Sequence, residues 1–440
     1  MLMNQTLKTY LRYTSWPIIL AMVTLMAIGI IAIDVSEQAD SQSGYAARQV
    51  VWAAVGIAVF VVMTVIPYPR IGQYAYVLFF ITMLMLVIVF VPTPLTAPRK
   101  GAHRWIGLQE LSVQPSEIAK LTYIILLAWY LRYRDNYRRL GGLIIPFVLT
   151  LVPAVLILKE PDLGTSLLFL PTLYFMLFMA GAKLRHLLVI LGLGTVFVLL
   201  PVSRQVEEPP EPRQFDTSHV GPITFYSVKD DVEPSARPYT PVAYCRYQFG
   251  DGPVSDLQPL SLRIMKDHQI RRIEGWLRQD DADIIKDKGY QLHQSKLILG
   301  SGCVTGRKGW NDSDMYFRLL PDDHTDFIFS VVGGQWGFLG CMAVLFLYGV
   351  IFVFGVEIAV ITDDPFGRLL AVGVLALLFS QIFINAGMAM GLMPVTGMTL
   401  PFVSYGGSSL LINAAAMGLL INVGQRRPIS LAPKPFEYRD

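Results

Sequence analysis

The sequence has 440 residues, of which 53% are hydrophobic and 16% are charged, and its formal net charge is +3. Soluble domains carry about 25% charged residues, so this composition excludes an ordinary soluble protein and favours a chain whose main solvent is the lipid bilayer. The small net charge also argues against a nucleic-acid partner.

Ten apolar runs follow one another along the chain and predict transmembrane helices, each close to the roughly 17–25 residues that a spanning helix needs. They begin near Pro17, Val50, Tyr74, Ile118, Leu143, Ser166, Leu187, Phe327, Leu369 and Leu410. The sequence therefore predicts an all-α polytopic membrane protein of about ten helices, with one long extracytoplasmic loop between the seventh and eighth.

Cationic residues are concentrated in every second loop between the predicted helices, that is, on one side of the membrane. Examples are Arg70, the 131–139 cluster and Arg426. The positive-inside rule makes this set cytoplasmic and predicts that both termini lie inside, in the inner (plasma) membrane of a cell. The predicted organisation is transmembrane helices 1–7 in residues 1–202, an extracytoplasmic insertion at 203–260, an extracytoplasmic loop with an amphipathic helix and a catalytic motif at 261–326, helices 8–10 in 327–424, and a cytoplasmic tail at 425–440.

The fourth apolar run begins with a Glu and a Lys three residues apart, Glu117 and Lys120. Residues at this spacing share a helix face, and a Lys inside a membrane is costly enough to suggest a functional site. An ion pair that only neutralises itself is the alternative. Just before this run, Arg104 and Trp105 suit phosphate oxygens and a sugar ring or the head-group level, although such residues also flank many spans as anchors.

Two further polar segments lie on the predicted outer side. In "KEPDLGTS", Asp162 precedes the sixth run, where helix capping is its simplest role. "GLMPVTGMTLPFVSYGGSSLL" combines prolines and glycines before the last run, which predicts a re-entrant or cavity-lining loop whose N–H groups could meet an anion.

The large outer loop ends in "LPDDHTDFIF", where Asp322, Asp323, His324 and Asp326 stand at the entrance to an apolar run. A solvated acidic loop, a metal site and a catalytic carboxylate at the membrane surface are all compatible with this cluster. Together, the outer segments suit a substrate with an anionic diphosphate at head-group level and a lipid tail between helices.

Within the same loop, "ITFYSV" and "VAYCRYQF" alternate as strands do and predict one or two β-hairpins, in either a partner-docking module or a loosely ordered insertion. From Leu262 to Lys288, apolar residues recur at helical spacing beside basic residues that include Arg272. This amphipathic helix lies either on the membrane, with its basic face toward anionic head groups, or against the outer ends of the spans.

Five segments resemble the SEDS proteins, a family of bacterial peptidoglycan polymerases that includes RodA and FtsW, and "PVTG" at 394–397 leans toward the RodA branch. They are "HRWIGLQELSVQPSEIAKL", "EPDLGTSL", "GYQLHQSKLILGSG", "LPDDHTDFIFSVVGGQWGFLG" and "GLMPVTGMTLPFVSYGGSSLL". The resemblance implies a ten-helix glycosyltransferase that polymerises lipid II during cell-wall elongation or division. It also implies a class B penicillin-binding protein as partner, besides lipid II and the bilayer itself.

Carried over by motif, the resemblance places the essential acidic residue of the family on Asp326, the motif Trp on Trp105, and the motif Glu and Lys on Glu117 and Lys120. The substrate-binding candidates are Lys120, Glu117, Trp105, Arg104, His324 and Ser408. Two departures stand out: Gly334-Gln335 replaces the usual pair of Glu residues, and the 203–260 insertion is longer than in familiar members.

The chemistry implied is the attack of a sugar hydroxyl on the anomeric carbon of a second lipid-linked disaccharide, with a diphosphate as leaving group. Asp326 is the predicted base, and Lys120 and Arg104 are predicted to neutralise the diphosphate. A divalent cation, Mg²⁺ or Mn²⁺, is a further candidate for that task. A flippase of the same lipid and a catalytically silent scaffold are the rival interpretations.

Overall fold

The computed structural model of the protein describes residues 13–40, 44–91, 96, 104–108, 111–134, 138–160, 162–190, 192, 215–220, 223–228, 244–247, 272–273, 275–277, 279, 285, 289–306, 320 and 324–426. The helices are α1 (Trp16–Asp40), α2 (Tyr45–Val65), α3 (Tyr68–Gln73), α4 (Ala75–Ile88), α5 (Pro115–Leu131), α6 (Ile144–Lys159), α7 (Leu163–Ala180), α8 (Tyr290–Ser301), α9 (Ile328–Ile361), α10 (Pro365–Ala389) and α11 (Gly407–Gln425). The strands are β1 (Ile106–Leu108), β2 (Leu111–Val113), β3 (Phe215–Val220), β4 (Ile223–Val228) and β5 (Tyr244–Tyr247).

The predicted all-α membrane architecture is confirmed. Within the described ranges, seven helices are long and apolar enough to cross a membrane: α1, α2, α6 with the 3₁₀ turn before it, α7, α9, α10 and α11. Helices α4 and α5 match two more of the predicted runs but are shorter. The run from Leu187 is helical up to residue 190 and then passes beyond the described part of the chain, so the number ten stays a prediction.

The centre of the bundle is formed by α5, α10 and α11, whose residues are almost all buried. Helix α11 packs on α2, α10 packs on α7 and α5, and α9 packs on α1. The outer helices keep large apolar side chains exposed, such as Phe80 on α4, and Phe346 and Val353 on α9. These surfaces suit contact with lipid tails, because water would make them unfavourable.

Helix α9 is broken at Gly337, whose φ of 66° and ψ of −161° are not helical. The backbone N–H groups of Phe338 and Leu339 donate instead to the carbonyl oxygens of Cys303 and Val304, at 2.9 and 3.1 Å. A side chain at Gly337 would meet the backbone of Val304 and Gly306. Glycine is therefore required here by both its conformation and the close approach of the neighbouring turn.

Residues 184–270 form a compact unit of their own. Strands β3, β4 and β5 make an antiparallel sheet in that order, with Phe225 of β4 opposite Ser218 of β3 and Cys245 of β5. The predicted β-hairpins are thus confirmed for "ITFYSV" and "VAYCRYQF". Most of the predicted helix from Leu262 to Lys288 lies outside the described residues, although 272–273 and 275–277 are helical.

Candidate functional site

Residues 390–406, here called the central loop, connect α10 to α11 and organise the candidate site. The backbone is non-helical from residue 391 to 406, as predicted, and most of its side chains are buried. The hydroxyl of Ser404 accepts from the N–H of Leu400 at 2.7 Å, and the hydroxyl of Tyr348 donates to the carbonyl of Pro401. Irregular backbone at membrane depth is tolerated because protein surrounds it and satisfies its polar groups.

Asp326 lies two residues before α9 and directly beside the central loop. Its side chain is half-buried, and its backbone oxygen accepts a hydrogen bond of 2.8 Å from the amide nitrogen Nδ2 of Asn385. The same nitrogen donates to the carbonyl of Met398 in the central loop. The predicted base is therefore tethered to both α10 and the central loop.

Asn385 is a residue that the sequence analysis missed. It lies inside the apolar helix α10 with no exposed surface, where a polar side chain is costly unless it is paired. A search for polar residues within the predicted spans would have found it. Its partners, however, are backbone carbonyls far away in the chain, so its role could only be read from the fold.

Arg272 also reaches the central loop, at Gly397. The φ of Gly397 is +74°, and a Cβ built on it would lie 3.3 Å from Nη1 of Arg272 and 3.4 Å from Oδ2 of Asp326. Arg272 Nη1 points at the carbonyl of Val395, at 3.4 Å. The guanidinium of Arg272 thus contacts the central loop next to Asp326, while the orientation of the rest of the amphipathic helix toward lipid or protein stays a prediction.

His324 is held by aromatic contacts two residues before Asp326. Its ring stacks on Tyr45 at 4.6 Å between centroids and meets Tyr405 edge-on at 5.8 Å. The N–H of Tyr405 donates to the carbonyl of His324 at 2.9 Å. The segment that carries Asp326 is thus fixed to the start of α2 and to the central loop, and the three aromatic residues remain partly exposed, so that a ring could contact a ligand such as a sugar.

Asp162 caps α7, as predicted, and it also links α7 to α5. Its Oδ1 accepts from the N–H of Thr165 at 3.1 Å. Its Oδ2 accepts from the hydroxyl groups of Thr165 and Ser116 and from the side-chain amide of Gln114, at 2.9, 3.2 and 2.9 Å. Asp162 is 6% exposed, so these donors offset the cost of burying its carboxylate.

The next turn of α7 contacts the central loop. A Cβ on Gly164 would meet the side chain of Met398 and the carbonyl oxygen of Thr396, the latter at 2.9 Å. Ser408, at the start of α11, lies between the same elements: its hydroxyl is 3.4 Å from the carbonyl oxygen of Ser112 and 3.4 Å from the N–H of Gln114. The segments that precede α5 and α7 therefore meet around the central loop.

Glu117 and Lys120 form the predicted pair on one face of α5. Lys120 Nζ is 2.8 Å from Oε2 of Glu117, and the two side chains are only 2% and 8% exposed. In a buried pair each charge offsets the other, and removal of one partner would leave the other uncompensated. The positive charge of Lys120 is thus already balanced within the helix.

Arg104 and Trp105 precede β1, which pairs antiparallel with β2 ahead of α5. Arg104 Nε donates to the backbone oxygen of Glu160 at 2.9 Å, and Trp105 is half-buried. Glu160 is 1% exposed, and among the described residues its carboxyl oxygens have no hydrogen-bond partner. Burial, and then the nearby Asp162 carboxylate, raise the pKa of Glu160 from 4.5 to about 8, with Arg104 opposing the shift.

Seven of the residues predicted from sequence are thus described, and the structure brings His324 and Asp326 to the central loop, whereas Glu117 and Lys120 contact each other within α5. They are Arg104, Trp105, Glu117, Lys120, His324, Asp326 and Ser408. Asp322 and Asp323 lie outside the described residues. Among the described ones, no group of three or more His, Cys, Asp or Glu side chains could hold a metal ion, so the divalent cation stays a prediction and no step below depends on it.

The sequence model of the FtsW/RodA/SpoVE family, described as cell cycle protein, matches residues 11–208 and 254–428 of this chain. The chain is 32% identical over 429 residues to the peptidoglycan glycosyltransferase RodA of Treponema pallidum, covering 93% of this chain and 97% of the relative. It is 30% identical over 386 residues to the peptidoglycan glycosyltransferase MrdB of Escherichia coli, covering 87% and 86%.

Two solved structures share the fold over nearly the whole chain. A peptidoglycan synthase complex, studied for its coordination of polymerization and crosslinking, contains a chain with a TM-score of 0.67 and 26% identity, covering 95% of this chain and 99% of that one. The crystal structure of the rod shape determining protein RodA of Thermus thermophilus matches with a TM-score of 0.60 and 25% identity, covering 94% and 97%.

Proposed function

The chain belongs to the FtsW/RodA/SpoVE family of cell cycle proteins, and we propose on this ground that it polymerises lipid II as a peptidoglycan glycosyltransferase of the membrane. Lipid II is the undecaprenyl-diphosphate-linked disaccharide-peptide from which glycan strands are made. The observation that carries the proposal is the half-buried carboxylate of Asp326, whose backbone is tethered by Asn385 beside the central loop.

In each step of the proposed reaction, one glycosidic bond forms and one carbon–oxygen bond breaks. A hydroxyl oxygen of the acceptor sugar attacks the anomeric carbon of the donor sugar, and the hydroxyl proton passes to the carboxylate of Asp326. The bond between the anomeric carbon and the diphosphate oxygen breaks, and undecaprenyl diphosphate leaves with the electron pair. Cationic groups at the diphosphate stabilise the charge that develops there.

The remaining site residues are proposed to hold the substrate. Arg104 and Lys120 are the cationic contacts of the diphosphate, and Trp105 and His324 offer ring surfaces to the sugars. Lys120 takes this part only when lipid II displaces Glu117, because the two side chains are paired and buried. Ser408 is a hydroxyl contact at the end of the central loop.

A membrane location follows from the seven apolar helices, and we place the protein in the inner (plasma) membrane with both termini in the cytoplasm. The support for this orientation is the positive charge of the alternating loops, among them Arg70 at the end of α3 and Arg426 at the end of α11. The site then faces the outer side, where lipid II would be used.

The proposed partner is a class B penicillin-binding protein, which would cross-link the strands by transpeptidation. One solved relative comes from a peptidoglycan synthase complex studied for its coordination of polymerization and crosslinking, which supports such an assembly. Whether the pair serves elongation or division depends on which partner binds, and co-purification with each candidate from the host distinguishes the two roles.

The test is a polymerisation assay on the purified protein in detergent, with lipid II as the only sugar substrate and the partner present. We expect wild-type protein to make glycan strands and Asp326→Asn to lose about 100-fold or more of the rate, as expected when a general base is removed. Equal rates for both would refute the role of Asp326. An active preparation that moves lipid II across vesicles without making strands would favour a flippase.

A further inference from the structure

The helical residues 272–273 and 275–277 are attached to the central loop at two points. Arg272 reaches the carbonyl of Val395, and the indole Nε1 of Trp276 donates to the carbonyl of Gly391 at 3.0 Å. These two residues are four apart and so lie on the same helix face. The face that carries Arg272 and Trp276 therefore contacts the central loop.

Arg272 and Asp326 both approach the backbone of Gly397. Their atoms Nη1 and Oδ2 lie 3.3 and 3.4 Å from the place where a side chain at Gly397 would begin. The absence of a side chain at Gly397 opens the space between the two charged groups. A guanidinium and a carboxylate thus both lie against Gly397 of the central loop.

The other proposed cations are more strongly engaged. Lys120 is paired with Glu117 at 2.8 Å, and Arg104 donates its Nε to the carbonyl of Glu160 at 2.9 Å. Arg272 has one hydrogen bond to the described residues, a long one of 3.4 Å. A guanidinium has five N–H donors in a planar fork that matches phosphate oxygens, so most of the binding capacity of Arg272 is unused by these residues.

We propose that Arg272 binds the diphosphate of the donor lipid and stabilises it as the bond to the anomeric carbon breaks. This inference rests on the proposed function and adds a contact to it. Because Arg272 and Asp326 both lie against Gly397, an anomeric carbon bound there has a base for the attacking hydroxyl and a cation for the diphosphate that leaves from its opposite face. The proton goes to Asp326 and the leaving charge is met by Arg272.

The test compares wild type with Arg272→Gln, Arg272→Lys and the matched control Lys296→Gln. Lys296 is a cation of α8 that contacts Gln279 at 3.1 Å, so the control removes the same charge from a neighbouring segment. Two quantities are measured in detergent: the KM for lipid II, and the inhibition constants of farnesyl diphosphate and farnesyl monophosphate.

We expect Arg272→Gln to weaken inhibition by the diphosphate about tenfold, the effect of losing one charge-assisted bidentate contact, and to change inhibition by the monophosphate less. Arg272→Lys should restore part of the affinity, because it keeps the charge without the fork, and Lys296→Gln should resemble wild type. The KM for lipid II should rise with the inhibition constant of the diphosphate.

Wild-type inhibition constants in Arg272→Gln would overturn the inference and leave the polymerase function standing. A deficit that appears in vesicles with anionic lipids but not in detergent would also overturn it, in favour of head-group contact. If Arg272→Gln does not fold, Arg272→Lys provides the test. Its inhibition constant for farnesyl diphosphate should then rise more than its inhibition constant for farnesyl monophosphate. A wild type that fails to polymerise lipid II refutes the proposed function, and direct binding of farnesyl diphosphate then decides the inference about Arg272.

Discussion

Replacing Asn385 by Leu should slow polymerisation far more than it weakens binding of lipid II. The amide of Asn385 is buried and joins the backbone of Asp326 to the backbone of Met398 in the central loop. Leu is similar in size and apolar, so the packing of α10 changes little while both hydrogen bonds are lost. Asp326 would keep its carboxylate and lose one of the contacts that fix its position.

The size of the effect follows from these two bonds. A buried carbonyl left without a donor costs about 1–3 kcal/mol. If about 1.4–2.8 kcal/mol of this cost falls on the productive position of Asp326, kcat decreases about 10- to 100-fold. The KM for lipid II should change less than about threefold, because Asn385 touches backbone atoms and not the substrate.

The assay is lipid II polymerisation in detergent, normalised to the folded fraction measured by thermal unfolding. The control is Asn422→Leu, since Asn422 is equally buried in α11 and donates to the carbonyls of Met63 and Ile66 at the end of α2. It should lose stability and keep kcat. The reasoning is refuted if Asn385→Leu keeps kcat within about twofold of wild type, or if Asn422→Leu loses as much.

Three further predictions concern the supports of the site. Asp162→Ala should lower the free energy of unfolding by about 2–4 kcal/mol, because a helix cap and three other donors lose their acceptor; an unchanged melting temperature would contradict this. Gly337→Ala should cost about 1–3 kcal/mol in the same measurement, whereas Gly349→Ala, in open space on the same helix, should cost little; equal losses would refute a special role for the break. The pKa of Glu160 is raised from 4.5 to about 8, so the folded state holds a proton that the unfolded state releases, and stability is lost as the pH rises from about 4.5 to about 8. Glu160→Gln should remove this pH dependence. If the melting temperatures of wild type and variant change with pH by the same amount between about 4.5 and about 8, the prediction is contradicted.

The parts of the site that the sequence predicts correctly are those set by local spacing. Glu117 and Lys120 pair because residues three apart share a helix face. Asp162 caps α7 because it stands three residues before an N–H that needs an acceptor. The non-helical central loop follows from its prolines and glycines, and the apolar runs give the helices themselves.

The parts that the sequence does not predict depend on which surfaces meet in the fold. Asn385 and Asp326 are 59 residues apart, and Arg272 and Val395 are 123 apart. Periodicity places Arg272 on the basic face of a helix, but that face could turn either to lipid or to protein. For Arg272 and Trp276 the partners are the carbonyls of Val395 and Gly391 in the central loop, and no local pattern in the sequence identifies them.

The replacement of the usual acidic pair by Gly334-Gln335 has a structural setting that separates it from the proposed proton transfer. Seven residues of chain lie between Asp326 and Gly334, and six of them are in α9, which places the pair about 9 Å along the helix from its first residue. There the backbone of Gly334 and Gln335 packs against Gly302 and Gly306, next to the break at Gly337. The chain therefore departs from the family pattern where α9 is bent against its neighbouring turn, and it keeps the carboxylate at Asp326 that accepts the proton in the proposed reaction.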